Sequence, residues 1–173
     1  MDFMEMSDRI EVARAEPAEF ETVLAILVEA AEWQGALGLR QWFPELFTVH
    51  LREQIEREVA AGDVHLARMG GETAGTVTLQ WADTYVWGPR EPDAGYIHRL
   101  AVRRAFAGRK VGAQILDWAA EQCAAAGKSF LRLDTMSVNL RLRAYYEELG
   151  FEFRGINPTP VWQPAMYERR VDA

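Results

Sequence analysis

Five side chains in the second half of this sequence are suited to proton transfer or polar anchoring. His98 stands inside the apolar run Tyr-Ile-His-Arg-Leu-Ala-Val, residues 96–102, and titrates near neutrality. It could take a proton from an amine, and a packed structural histidine would read the same way. Asp134 lies near the end of a second apolar run, 130–135, and is a second candidate base, although a carboxylate there also organises loops. Tyr145 and Tyr146 are adjacent phenols on a helical stretch. Neighbours on a helix point about 100° apart, so the two cannot share a role. Asn139, seven residues before Tyr146, stands where a helix N-cap is expected.

Between the two apolar runs lies a loop with little side-chain bulk, Ala107, Gly108, Arg109, Lys110, Val111, Gly112, Ala113. It joins a strand to a long amphipathic helix. The first amides of a helix have no partners within it, and the helix dipole puts partial positive charge there, so such a junction is an anion site. The expected ligand carries phosphate. Arg109 and Lys110 would add charge, and a merely solvated lysine is the plainer reading of Lys110. The loop lacks the Gly-Lys-Ser/Thr ending of a nucleotide-phosphate loop, and no metal site is expected.

Hydrophobic periodicity and breaker residues predict the elements that must position these groups. A strand at 10–15 is followed by a helix from Glu16-Pro17 to about Trp33, with Phe20, Val23, Leu24, Leu27 and Val28 on one face. A break at 34–44 precedes a second helix at 45–61. Strands at 64–68 and 73–81 flank the turn Gly70-Gly71. An irregular stretch at 83–95 leads to the strand 96–102 and a helix at 108–126 that ends at Gly127. A strand at 130–135, a helix at 140–149 and two strands at 151–155 and 165–171 complete the chain. This is a mixed α/β order in a single expected domain, 1–173.

The strand ending in Val102, the glycine-bearing loop, and Asn139 followed by Tyr-Tyr-Glu-Glu-Leu-Gly-Phe resemble the GNAT superfamily of N-acetyltransferases over roughly the C-terminal half of the chain. Gly108 and Gly112 stand where that family often has glycine. Ala107 replaces a usual Arg or Gln, and Lys110 replaces a usual glycine. Tyr146 falls on the family's tyrosine, and Gly150 and Phe151 on its terminal pair. The resemblance implies a central, splayed, mostly antiparallel sheet of about seven strands flanked by helices. It implies acetyl-CoA as acyl donor and direct acetyl transfer to a primary amine, expected to be a small molecule. An acyl-CoA-binding module of the same fold, or an acyltransferase acting on a protein N-terminus, is the alternative. By the same resemblance, the main chain at Leu100, Ala101 and Val102 meets the pantetheine arm. The loop from Gly108 through Arg109, Lys110, Val111 and Gly112 to Ala113 holds the pyrophosphate. Asn139, or the backbone near it, contacts the cofactor, and Tyr146 protonates the departing thiolate.

Composition narrows the partners. The 173 residues carry a net charge of −7, which argues against a general nucleic-acid binder. It suits cationic amines and is also ordinary for a soluble protein. Cys123 is the sole cysteine, placed on an apolar helix stripe, and reads as packing. The acidic N-terminus lacks an apolar core and is not expected to be a signal peptide, and no apolar run reaches the about 18 residues of a membrane span, so a cytoplasmic location is expected. Trp33, Trp42, Trp81, Tyr85, Trp87 and Trp162, with Glu32, Asp83, Glu91 and Asp93 among them, are candidates for an acceptor pocket suited to an ammonium group. Core positions or homodimer contacts account for the tryptophans equally.

Overall fold

A computed structural model describes residues 8–39, 41–159 and 162–171. Seven strands form one sheet: β1 (Ile10–Arg14), β2 (Val64–Met69), β3 (Glu72–Gln80), β4 (Ala94–Val102), β5 (Phe130–Met136), β6 (Glu152–Ile156) and β7 (Pro164–Arg170). Their order is β1-β2-β3-β4-β5-β7-β6. The β4–β5 pairing is parallel, while β1–β2, β2–β3, β5–β7 and β7–β6 are antiparallel. The helices are α1 (Phe20–Ala36), α2 (Arg52–Ala61), α3 (Val111–Ala125) and α4 (Leu140–Glu148). This is the expected mixed α/β architecture. Among the described residues no helix is long and apolar enough to cross a membrane.

Boundaries moved where backbone hydrogen bonding outweighs side-chain pattern. Helix α1 runs on to Ala36, through a glycine that sequence reading treats as a breaker. The expected second helix is a π turn, Leu46–His50, followed by α2. β4 begins at Ala94, earlier than expected, because Ala94 and Gly95 already pair with Phe130 and Leu131. Helix α3 begins at Val111, not Gly108, since Gly108 and Lys110 both take positive φ.

Two compact units emerge: Met1–Thr78 with Arg99–Leu116, and Leu79–His98 with Asp117–Ala173. In the first, Val23, Leu24, Ile26, Leu27 and Ala31 of α1 pack with Phe47, Ile55, Val59, Val64, Leu66 and Ala101. The apolar stripe of α1 is therefore close to the expected one, with Ile26 added and Val28 left half-buried. In the second, Val86, Trp87, Ala94, Tyr96 and Met166 form a core edged by Phe130 and Trp162. Trp87 is thus a core residue, while Trp81 and Tyr85 are exposed.

The parallel ladder joins Ala94 to Phe130, Gly95 to Leu131 and Tyr96 to Arg132, and there it stops, although both strands continue. Arg132 secures this last rung. It is nearly buried, donates to Tyr96 Oη at 2.9 Å, and pairs with Glu168 at 2.7 Å and Asp93 at 3.0 Å.

Close packing on the other flank of β4 depends on a missing side chain. A Cβ on Gly75 of β3 would lie 2.7 Å from the Ala101 carbonyl oxygen, closer than van der Waals contact permits. Gly75→Ala should therefore destabilise the fold by about 1–3 kcal/mol, the usual scale of overpacking. Urea unfolding measures this, and an unchanged midpoint would show that β3 and β4 adjust without cost.

Candidate active site

The loop after β4 is built to leave amides ahead of a helix. A short 3-10 turn, Arg104–Phe106, is followed by Gly108 at φ +78° and Lys110 at φ +58°. The first i→i−4 bond of α3 runs from the Gln114 amide to the Lys110 carbonyl, 3.0 Å. The amides of Val111, Gly112 and Ala113 therefore precede the hydrogen-bonded ladder, which is the arrangement that suits phosphate oxygens. Arg109 is different. Its amide donates to the Phe106 carbonyl at 3.3 Å, and its side chain pairs with Asp8, Nε to Oδ1 3.2 Å. Lys110 is exposed.

Leu100, Ala101 and Val102 close β4 just after a backbone anomaly. Arg99 adopts φ +50°, the other non-glycine residue with positive φ among those described. Such a conformation persists only when its surroundings hold it. Here the Arg99 guanidinium pairs with the nearly buried Glu58 of α2 and reaches Thr78 Oγ1 at 3.5 Å. Gln54 in turn donates to Glu58 at 2.9 Å. Neither Glu58 nor Arg99 was a sequence candidate. The available signals were a charged residue on the apolar face of α2, between Ile55 and Val59, and an arginine inside an apolar strand.

In the second unit, the ligand atoms of His98, Asp134 and Asp83 lie within 4.8 Å of one another. His98 Nε2 is 3.8 Å from Asp83 Oδ2. Burial, and then the charge of Asp83, push the Asp134 carboxyl up to about 7. Tyr146 of α4 is buried. Desolvation raises its phenol well above the usual range, with smaller contributions from Tyr145 and from the charge of Asp134. The structure therefore brings His98 and Asp134 together, links Asp134 to Tyr146 through its charge, and adds Asp83, read from sequence as a pocket acid. Tyr145 is only half-buried and its ring is tilted 53° from that of Tyr146. Asn139 caps α4, its Oδ1 accepting from the Leu142 amide at 3.2 Å. Cys123 is fully buried, and desolvation pushes its thiol up to about 11, the state of an inert packing residue.

Lys110 carries a steric penalty that glycine would not. Lys110→Gly should leave thermal stability unchanged or raise it. Lys110→Val, β-branched at the same positive φ, should lower stability by about 1–2 kcal/mol. Denaturant unfolding of the two variants checks this. A Val variant as stable as the parent would mean that the loop relaxes to negative φ.

The family model described as acetyltransferase (GNAT) family matches residues 27–151. A Bacillus subtilis (strain 168) protein described as the uncharacterized N-acetyltransferase YesJ is 33% identical over 159 residues, covering 88% of this chain and 86% of that protein. Among solved structures, a GNAT-family acetyltransferase from Listeria monocytogenes 4b F2365 superimposes with a TM-score of 0.76 at 26% identity, covering 93% of this chain and 94% of that one. The PaiA N-acetyltransferase from Thermoplasma acidophilum, solved in complex with coenzyme A, does so with a TM-score of 0.74 at 16% identity, covering 94% and 99%. With a family match over most of its length, a glycine-bearing loop ahead of α3 and a buried tyrosine on α4, the chain belongs to the acetyltransferase (GNAT) family, enzymes whose acyl donor is acetyl-CoA.

Proposed function

We propose that this protein transfers an acetyl group from acetyl-CoA directly to a primary amine of a small molecule, and that it does so as a single domain. The family match runs through residues of both compact units, which supports the single-domain reading. The observation that carries the function is the grouping of Asp134, His98 and Asp83, with the charge of Asp134 acting on the buried Tyr146 phenol. It provides a proton acceptor and a proton donor in one neighbourhood.

The residues of this chain divide the work. The amides of Val111, Gly112 and Ala113, with the exposed Lys110 cation, fit the pyrophosphate of the donor. The donor supplies the acyl group already activated as a thioester. An amine arriving as ammonium is attracted to the two carboxylates and gives up its proton to the His98–Asp134 pair. Tyr146 keeps its proton across the physiological range, because burial opposes the phenolate. That proton is available to a departing thiolate. Burial raises the proton affinity of a thiolate as well, as Cys123 shows, so the transfer is less unfavourable than the phenol alone suggests. A proton held at Asp134, whose charge already acts on Tyr146, is a source from which the phenol is restored.

Two measurements test this. Acetyl-CoA or CoA, with chelator present, should raise the melting temperature, while ATP at equal concentration should do little. Gly112→Glu, which sets bulk and negative charge at the start of α3, should abolish the shift. No stabilisation of the parent protein at saturating acetyl-CoA rules the donor out.

For catalysis, Tyr146→Phe keeps the ring and its packing but removes the proton. Once an accepted amine is in hand, its turnover should fall about 10²-fold with little change in CoA binding. Tyr145→Phe should stay close to the parent rate. Equal losses in both would assign the tyrosines to packing.

A further inference from the structure

The Asp83 carboxylate is the anomaly of the second unit. Its side chain is only 6% exposed. Oδ1 accepts from the Val86 amide at 3.0 Å, but Oδ2 is buried without any hydrogen-bond partner. A buried polar atom left in that state is unfavourable and calls for an occupant. Oδ2 faces His98 Nε2 at 3.8 Å, too far for a hydrogen bond. An ion with bonds of about 2.0–2.2 Å could touch both atoms at an open angle. A carboxylate oxygen of Asp134 lies within 4.8 Å of a ligand atom of each of the other two residues, so a shift of about 1 Å brings a third donor into range. The His98 side chain is 23% exposed and leaves a path from solvent.

We propose that Asp83, His98 and Asp134 form a binding site for one divalent transition-metal ion of the zinc class, with water completing its coordination. The donor set decides the class. One imidazole nitrogen with two carboxylate oxygens suits Zn²⁺, Co²⁺ or Ni²⁺, whereas Mg²⁺ and Ca²⁺ require an oxygen shell. Metal binding stands independently of acetyl transfer. Its consequence for turnover rests on the reading above: a His98–Asp134 pair occupied by metal cannot take the proton of an amine, so the ion inhibits.

The test uses the whole chain, stripped by chelator and desalted, then titrated with ZnCl₂ by calorimetry and with CoCl₂ by visible absorption. The expected result is one Zn²⁺ per chain and Co²⁺ d–d bands that Zn²⁺ displaces. Asp83→Asn and His98→Ala should each weaken binding by more than about 100-fold, beyond the usual loss from an outer-shell change. His50→Ala, at an exposed histidine of the other unit, should bind like the parent. If Asp83→Asn does not fold, the partly exposed His98 decides through His98→Ala. An absence of Zn²⁺ binding in the parent protein overturns the proposal. So does undiminished affinity in His98→Ala, or a loss confined to His50→Ala. The acetyl-CoA thermal shift is measured with chelator present, so its failure and the failure of metal binding are separate results.

Discussion

The structure depends on where the parallel pairing of β4 and β5 ends. Three residue pairs are joined, and the last, Tyr96 with Arg132, is fixed by more than backbone hydrogen bonds. The Arg132 guanidinium binds the Tyr96 hydroxyl, Glu168 of β7 and Asp93 ahead of β4, and its charge lies over the rings of Trp87 and Tyr96. A buried arginine is tolerable only with partners of this kind, and removing one would leave an uncompensated charge. The clamp thus defines the rung beyond which each strand must find other uses for its main chain. His98 and Asp134 both lie past it, on the C-terminal sides of their strands.

Past that rung, burial sets the chemistry. Asp134 and Tyr146 have pKa values shifted by desolvation first and by neighbouring charge second. Both shifts act in one direction: each group holds its proton more firmly than it would in water. The cluster is therefore poised to keep and pass protons rather than to form fixed ion pairs. Perturbed groups gathered in this way mark functional sites more often than structural ones.

Strain is localised in the first unit. Arg99 and Lys110 hold positive φ without being glycine, one inside β4 and one at the mouth of α3. Arg99 is held by a nearly buried ion pair with Glu58. Lys110 has no comparable anchor in its own conformation, yet it occupies the position at which the first helical hydrogen bond is accepted. A lysine at this positive-φ position adds a cation where glycine would sit without strain. The loop therefore trades local stability for positive charge beside the open amides.

Read alone, the sequence specified the elements, because strand and helix periods of apolar residues and glycine stops are local properties. It also supplied the loop, His98 and Asp134 as candidates by residue type and position, while Asn139 and Tyr146 were singled out by the resemblance to the GNAT family. It missed the early start of β4, whose first rungs depend on a partner strand 36 residues on in register. It missed Glu58 with Arg99, 41 residues apart, and it placed Asp83 in a general acidic pocket rather than beside His98 and Asp134. Which carboxylate meets which imidazole, and how much water remains around them, depends on contacts between residues distant in the chain. Desolvation and charge proximity act through space, so only the tertiary structure decided the proton affinities of Asp134 and Tyr146 and the unsatisfied oxygen of Asp83.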